Sequence, residues 1–398
     1  MLKRIPLRDL RVGMFIQQMG GRWFDHPFLR SSFKLASEKD YQALLQSNVP
    51  DLLIDTDKGL DVATAPNGQP APVPEPVVLP AAATREVESQ RPFAQEIDRA
   101  RAIQAKAKTE VTRMFNDARM GKAIEVADIA PLVDEINGSL ERNAGALLSI
   151  VRLKSADDYT YMHSVAVCGL MIALGRRMGL DGEELKIVGL GGLLHDLGKI
   201  AMPIEVLNKP GKLTDEEFAI MKGHPGAGWS MLKKSNSVGE IPLDICLHHH
   251  ERIDGAGYPE KISGDALSKY ARMGAVCDVY DAITSDRPYK AGWEPGESVK
   301  LMAKWCNGQF DEAIFQQFVR TVGIYPTGTL IRLKSGRLGV VVDQAEGNLL
   351  QPKVKAFFST KSQAHITPEI IDLARSQDAI TGPEDARAWG FDLGKIFG

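Results

Sequence analysis

The sequence predicts a mainly α-helical protein, in which a helical bundle joins a small α+β domain at the N-terminus to a small β-rich appendage at the C-terminus. The first observation is that apolar residues recur every three or four positions for about two hundred residues from Phe93 onward. The second is that apolar and polar residues alternate after Tyr325, in "GTLIRLKSGRLGVVVD". The content of 44% hydrophobic and 25% charged residues is typical of a globular protein, and 398 residues suit two or three domains.

Residues 1–62 are predicted to form the small α+β module. The stretch "SEKDYQALLQS" is typical of a helix that Ser37 caps, and "DLLID" (51–55) is typical of a short strand. Residues 63–92 are rich in proline and alanine instead. Because proline lacks an amide hydrogen and disrupts helices, we interpret this second segment as an extended linker.

Residues 93–155 are predicted to form a helical connector. Apolar positions repeat at helical spacing in 93–118 and again in 123–153. Two interpretations stay open. The helices either pack on the domain that follows, as amphipathic helices usually do, or form a homodimer that transmits a signal from the N-terminal module.

Residues 156–325 are predicted to form the main bundle, and 326–398 a β-rich C-terminal extension. A β-hairpin turning at Ser335-Gly336 opens the extension. The helices of the bundle are bounded by caps, a capping box, an early proline and glycine stops. These signals lie at Asp157 or Asp158, Gly179, Gly198, Thr214 with Glu217, and Pro242.

Charge and cysteine usage exclude several classes of protein. A net charge of -3 and a pI near 6.3 argue against general nucleic-acid binding. The four cysteines form no CxxC pair, which argues against a disulfide framework and suits a reducing compartment. The start of the chain lacks the apolar core of a signal peptide, and no run of 18 apolar residues occurs. We therefore expect a cytoplasmic protein without a membrane span.

Histidines and aspartates are concentrated in the bundle. Six of the eight histidines lie between positions 163 and 250, and they include His195, which Asp196 follows directly. Each histidine alone is typical of a hydrogen-bonded core or surface residue. As a set on several helices, with Asp278, they indicate a site for Fe, Mn, Ni or Zn. The two oxygens of Asp196 suit a carboxylate that bridges two ions, an arrangement used in phosphoryl displacement.

At these residues the sequence resembles the HD-GYP family, a branch of the HD phosphohydrolase superfamily. The superfamily pattern H…HD…D corresponds to His163, His195-Asp196 and Asp278. The resemblance covers roughly residues 155–320, and the first sixty residues resemble an uncharacterised module that often precedes this domain. The motifs that carry the resemblance are "HDLGKIAMP" (195–203), "LNKPGKLTDEEFAIMKGHPGAG" (207–228), "HHHERIDGAGYP" (248–259) and "CDVYDAITSDRPYK" (277–290).

The resemblance implies an HD-type helical bundle and a metal-dependent phosphodiesterase. The family hydrolyses the second messenger cyclic di-GMP to linear pGpG, and often on to GMP, by in-line attack of a metal-bound hydroxide. It implies two divalent ions, Fe or Mn, with Ni or Zn as alternatives. The implied ligands are His163, His195, Asp196 and Asp278 for one ion, and Asp196, His224, His249 and then His250 for the other.

One departure from the family concerns the number of ions. Some members carry a glutamate four residues before the first ligand histidine, on the same helix face, where it helps to hold a third ion. This chain has Tyr159 there, a poor ligand at neutral pH. We therefore predict two ions and leave open both the ligand role of His250 and the cleavage of pGpG to GMP.

Residues beyond the ligands are assigned by the same resemblance. Asp196 and Lys199 are the catalytic candidates, with Lys199 on the scissile phosphate. Each assignment has a structural alternative: a solvated lysine at a helix end, a turn tyrosine, or an exposed basic loop. The substrate-binding candidates are Lys199, Gly257, Tyr258, Asp281, Arg287 and Lys290.

Two rival functions stay open. The first is another HD-type phosphohydrolase acting on nucleotides or alarmones, against which the Gly257-Tyr258-Pro259 loop argues. The second is a silent module that binds cyclic di-GMP or a signalling protein partner, against which the intact ligand set argues.

Overall fold

The computed structural model divides the chain into two compact units, Met1–Ser89 and Gln90–Gly398. The boundaries of the five segments predicted above stay predictions. The residues that the structure describes are 2–19, 32–45, 49, 51–61, 93–152, 159–286, 291–306, 308–345 and 348–396. No helix within these ranges is long and apolar enough to cross a lipid bilayer.

The first unit is an antiparallel sheet with one helix, as predicted for an α+β module. Its strands follow the order Leu2–Pro6, Asp51–Asp55, Phe15–Met19 and Phe33–Lys34. Ser37 caps the helix, since its Oγ accepts a hydrogen bond from the amide of Asp40 at 3.0 Å. Apolar side chains such as Leu44 and Ile54 form its core. The elements are β1 Leu2–Pro6, β2 Phe15–Met19, β3 Phe33–Lys34, α1 Glu38–Leu45 and β4 Asp51–Asp55.

The second unit begins with two long helices, α2 Phe93–Arg119 and α3 Val126–Arg152. Their apolar residues lie in the same core as those of the following helices. The edge of the Phe115 ring contacts Tyr161, with the ring centroids 5.4 Å apart. This packing favours the first interpretation of the connector, and the homodimer stays a prediction.

The bundle that follows carries the predicted helices. The capping box is present, because Thr214 and Glu217 each bond the backbone of the other. The bundle also contains short 3₁₀ turns at Leu197–Ala201 and Gly264–Ala266. Its helices are α4 Tyr159–Arg177, α5 Gly182–Leu194, α6 Ile204–Leu207, α7 Asp215–Met221, α8 His224–Lys234, α9 Glu240–His248, α10 Lys269–Thr284, α11 Pro295–Trp305 and α12 Glu312–Val322.

The end of α5 differs from the sequence prediction. The helix was expected to run to Gly198, but it stops at Leu194, and Asp196 leaves helical geometry with φ -99° and ψ 7°. Gly198 then passes directly against α8, where a Cβ atom would lie 1.9 Å from the carbonyl oxygen of His224. The glycine is needed for this close approach of two backbones.

Glycines of α5 also bring its neighbours close. A Cβ at Gly191 would lie 2.3 Å from Ile245 on α9, and one at Gly192 would lie 3.0 Å from the backbone of Cys168 on α4. Because these glycines lack side chains, three helices converge where α5 ends. This convergence places the residues that follow α5 and α9 next to α4.

The C-terminal extension is a five-stranded antiparallel sheet, whose strands follow the order Ala364–Asp372, Lys353–Ser359, Arg337–Asp343, Leu330–Leu333 and Ile380–Pro383. The predicted hairpin is present, and Leu330 pairs with Val340 across it. Gly336 adopts φ +85° in its turn, a conformation that suits glycine. The elements are β5 Leu330–Leu333, β6 Arg337–Asp343, β7 Lys353–Ser359, β8 Ala364–Asp372, β9 Ile380–Pro383 and α13 Leu393–Ile396.

Candidate metal centre

Five helices bring the predicted ligands into one buried cluster. The ligands come from the second turn of α4, the two residues after α5, the first residue of α8, the two residues after α9 and the middle of α10. All are buried except His250, which is half-buried. The cluster consists of His163, His195, Asp196, His224, His249, His250 and Asp278.

The first group of donors comprises His163, His195 and Asp278, whose ligand atoms lie within 4.8 Å of one another. His163 Nε2 is 2.9 Å and His195 Nε2 is 3.8 Å from Asp278 Oδ1. The same two nitrogens lie 3.5 and 3.2 Å from Oδ2 of Asp196. Together with Oδ2 of Asp196, this group therefore presents two imidazoles and two carboxylate oxygens to one point.

The second group comprises Asp196, His224, His249 and His250. Oδ1 of Asp196 lies 3.3 Å from His224 Nε2 and 3.8 Å from His249 Nε2. His250 Nδ1 lies 3.6 Å from Asp278 Oδ2. The two oxygens of Asp196 thus lie toward different groups, which is the geometry that a bridging carboxylate requires.

Backbone carbonyls orient three of the imidazoles. The Nδ1 atoms of His195, His224 and His249 lie 2.7, 2.8 and 3.0 Å from the carbonyl oxygens of Gly192, Met221 and Cys246. With Nδ1–H donating to these carbonyls, each Nε2 is left with a lone pair that faces the cluster. This is how metal-binding histidines are commonly held.

The donor set fits divalent transition metals. Among the described residues, His195 Nε2 and Asp196 Oδ1 are buried without a hydrogen-bond partner, which is costly unless another group binds there. Burial lowers the pKa of His250 to about 3 and that of His249 well below its usual value, so both are neutral at physiological pH. Burial raises the pKa of Asp196, but nearby imidazoles and Lys199 outweigh this and keep it ionised. Neutral imidazoles with carboxylates suit such ions.

Lys199 lies at the edge of the cluster. Its Nζ is 2.5 Å from Asp196 Oδ2, and its side chain is 22% exposed. The 3₁₀ turn Leu197–Ala201 carries it there, one turn beyond Asp196. The ammonium group is thus close to the ligands and still accessible to a molecule in solution.

Asp281 is one of the predicted substrate-binding residues. Asp281 is buried, and its Oδ2 lies 2.6 Å from Nδ1 of His163, the nitrogen that faces away from Asp278. The reason is helical spacing, since residues three apart share one face of α10 and both aspartates meet the same imidazole. We infer that Asp281 orients His163, and its contact with substrate stays a prediction.

The loop after α9 carries Gly257 and Tyr258. Gly257 is buried, and a Cβ there would lie 2.5 Å from the backbone of Glu251 and Arg252, so its lack of a side chain allows this close packing, and its substrate contact stays a prediction. The Tyr258 ring packs on His250 with centroids 4.8 Å apart. The sequence reasoning missed Glu251, whose buried Oε1 accepts hydrogen bonds from the amides of the loop residues Glu260 and Lys261 at 2.6 and 2.8 Å. An acid directly after paired histidines was the available signal.

Three of the sequence assignments receive no structural description. Arg287 and Lys290 lie outside the described residues, as does the side chain of Tyr159. The extra histidine, His248, faces away from the cluster and contacts Asp244 Oδ1 at 2.7 Å and Glu260 Oε2 at 3.3 Å.

Two family descriptions match the chain. Residues 147–314 match the HD domain, and residues 2–129 match a domain of unknown function, DUF3391. A solved structure of an HDG"Y"P protein from Bdellovibrio bacteriovorus covers 80% of this chain and 98% of its own, at 18% identity and a TM-score of 0.47.

Two curated relatives are closer in sequence. The "Cyclic di-GMP phosphodiesterase response regulator RpfG" of Xanthomonas campestris is 47% identical over 128 residues, which are 32% of this chain and 33% of that protein. The "Cyclic di-GMP phosphodiesterase PA4108" of Pseudomonas aeruginosa is 51% identical over 394 residues, 98% of this chain and 94% of that protein. With this full-length similarity, the HD domain and the Gly257-Tyr258-Pro259 signature, the chain belongs to the HD-GYP family of HD-domain proteins.

Proposed function

We propose that the chain is a metal-dependent phosphodiesterase that hydrolyses cyclic di-GMP to linear pGpG. The observation that carries the proposal is the pair of buried donor groups that share Asp196. The names of the two curated relatives supply the substrate. The four free cysteines suit a reducing cytoplasm as the place of the reaction.

The cluster would hold two divalent ions, with iron or manganese as the first candidates and nickel or zinc as alternatives. The first donor group and Oδ2 of Asp196 would hold one ion, and the second group the other. Bound ions at such a site lower the pKa of water and neutralise charge on a phosphoryl group. A third ion is not part of the proposal, and neither is the further cleavage of pGpG.

The protein's own groups prepare the site for a phosphodiester. Lys199 carries the positive charge that would contact a phosphate oxygen, since it lies beside Asp196 and stays partly exposed. Burial raises the pKa of Tyr258, so its hydroxyl keeps its proton and can donate a hydrogen bond to the substrate. Asp281 holds the ring of His163 in place from the opposite side.

The proposal is tested with protein purified without oxygen. We expect about two ions per chain by elemental analysis, and conversion of cyclic di-GMP to pGpG by chromatography. Asp196→Asn serves as the matched inactive variant. A fully metallated wild-type protein that binds cyclic di-GMP without cleaving it would favour the silent binding module instead.

A nucleotide panel separates the other rival. Cleavage of nucleoside triphosphates or alarmones in preference to cyclic di-GMP would replace the proposed substrate while leaving the metal centre intact. Absence of both bound metal and hydrolysis would overturn the proposal as a whole.

A further inference from the structure

The short helix α7 exposes two large apolar side chains close to the candidate metal centre. None of its residues from Asp215 to Met221 is buried. Phe218 is 46% exposed and Ile220 is 45% exposed. Apolar side chains exposed in this way contribute little to a core, and near a binding site they often serve a ligand.

Aromatic rings connect Phe218 with the cluster of ligands. The Phe218 ring meets Tyr258 edge to face, with the centroids 6.2 Å apart. Tyr258 in turn packs on His250, with the ring centroids 4.8 Å apart and the ring planes tilted by 31°. The three rings therefore run outward from the second donor group to the surface. Tyr258 already uses one face on His250, whereas Phe218 ends the series and is the most exposed member.

A positive charge accompanies the outer ring. Nζ of Lys222 lies 5.1 Å from the centroid of Phe218. An ammonium group next to an exposed aromatic ring offers a nucleotide both of its preferred contacts, one for the base and one for the phosphate.

We propose that Phe218 is a substrate-binding residue that stacks against one guanine of the substrate. This inference rests on the proposed cleavage of cyclic di-GMP. In a dinucleotide, each base is attached to the cleaved phosphodiester through only one ribose, so a phosphate at the ligands brings a purine toward the rim where Phe218 lies. Stacking on an aromatic ring is available to every base through its π face.

The chain supplies a matched control for this role. Ile220 has almost the same exposure on the same helix, but two residues along a helix correspond to about 200° of rotation, so its side chain points elsewhere. Phe218→Ala is expected to raise the KM for cyclic di-GMP by about tenfold, with kcat and metal content within twofold of wild type. Ile220→Ala is expected to leave KM unchanged. Phe218→Trp keeps an aromatic ring, so its KM is expected to be close to that of the wild type.

An abasic analogue of the cyclic dinucleotide, with hydrogen in place of both guanines, isolates the contact. If Phe218 stacks on guanine, Phe218→Ala should leave the kcat/KM for this analogue unchanged, because the partner of the ring is already missing. An unchanged KM for cyclic di-GMP in Phe218→Ala, or equal losses on the natural and abasic molecules, would overturn the inference. A wild-type protein that leaves cyclic di-GMP intact would instead contradict the proposed function itself.

Discussion

Asp196 in the metal centre and Glu96 between α2 and α3 are both buried carboxylates, and they differ in what surrounds them. In the metal centre, Asp196 has an oxygen without a hydrogen-bond partner and faces several imidazoles. Between α2 and α3, the buried Glu96 is bonded by Ser139 at 3.0 Å and by the guanidinium of Arg142 at 2.9 and 2.8 Å. Protein groups therefore bond both oxygens of Glu96, whereas one oxygen of Asp196 has no hydrogen-bond partner.

This difference separates a structural ion pair from a binding site. A buried charge is tolerated when hydrogen bonds and an opposite charge compensate for lost water. At Glu96 the compensation is complete and ties two helices together. At Asp196 it is not, and an external cation would complete it. Burial alone would not have distinguished the two.

The largest expected effect comes from removing the charge at the incomplete site. Asp196→Asn takes away the carboxylate that both donor groups share, so we expect most bound metal to be lost and turnover to fall by about a thousandfold or more. Elemental analysis and product chromatography measure the two losses. Glu96→Gln is the control and should keep its metal. Retention of full activity by the Asp196 variant would contradict the bridging role.

A smaller effect on metal binding is expected at Asp281, which contacts the ligand His163. Asp281→Asn leaves His163 in place but removes the carboxylate charge that lies beside its Nδ1, so metal affinity should fall by about 10- to 100-fold. Titration of the apo protein with Mn²⁺ measures it.

Asp244→Asn is the matched control for Asp281. It alters a carboxylate 2.7 Å from Nδ1 of His248, a histidine outside the cluster, and should leave Mn²⁺ affinity unchanged. Equal losses in the two variants would show that Asp281 acts only on general stability.

Asp281 also marks how far the sequence could predict the site. Residue types, motif order and the family resemblance named the members of the cluster, with the ligand role of His250 left open. The direction of each side chain was not available, since it depends on how α10 lies against α4. The same holds for Gly198, which must lack a side chain because the backbone of α8 passes beside it.

The fold shows the same division between local and distant information. The capping box on α7 and the β5–β6 hairpin are short-range and were predicted. The hydrogen bond between Glu96 and Ser139 joins residues 43 positions apart, and no local sequence pattern predicts it.

Glu96→Gln tests the satisfied carboxylate directly. Removing one partner of a buried pair leaves the other without its counter-charge, and because Arg142 is about one-third exposed we expect a loss of about 2 kcal/mol in unfolding free energy. Urea denaturation of the metal-free protein measures it. Glu135→Gln, at an exposed pair with Lys106 on the same two helices, should cost less than about 1 kcal/mol. Equal costs would remove the contrast between buried and exposed pairs.

The smallest effect is the pH dependence of that same contribution. Burial raises the pKa of Glu96, but Arg142 and Ser139 outweigh it and hold the pKa below its usual value of 4.5. A carboxyl group with a lowered folded pKa stabilises the protein above the unfolded value and loses this contribution as pH falls through the folded one. The gap in unfolding free energy between wild type and Glu96→Gln should therefore be constant from pH 7 to about 5 and shrink below about 4.5. Comparison with the variant cancels the titration of Asp196 and Asp278, which both proteins share. A gap that widens on acidification would mean that Glu96 is protonated in the folded protein, and its pairing with Arg142 would have to be abandoned.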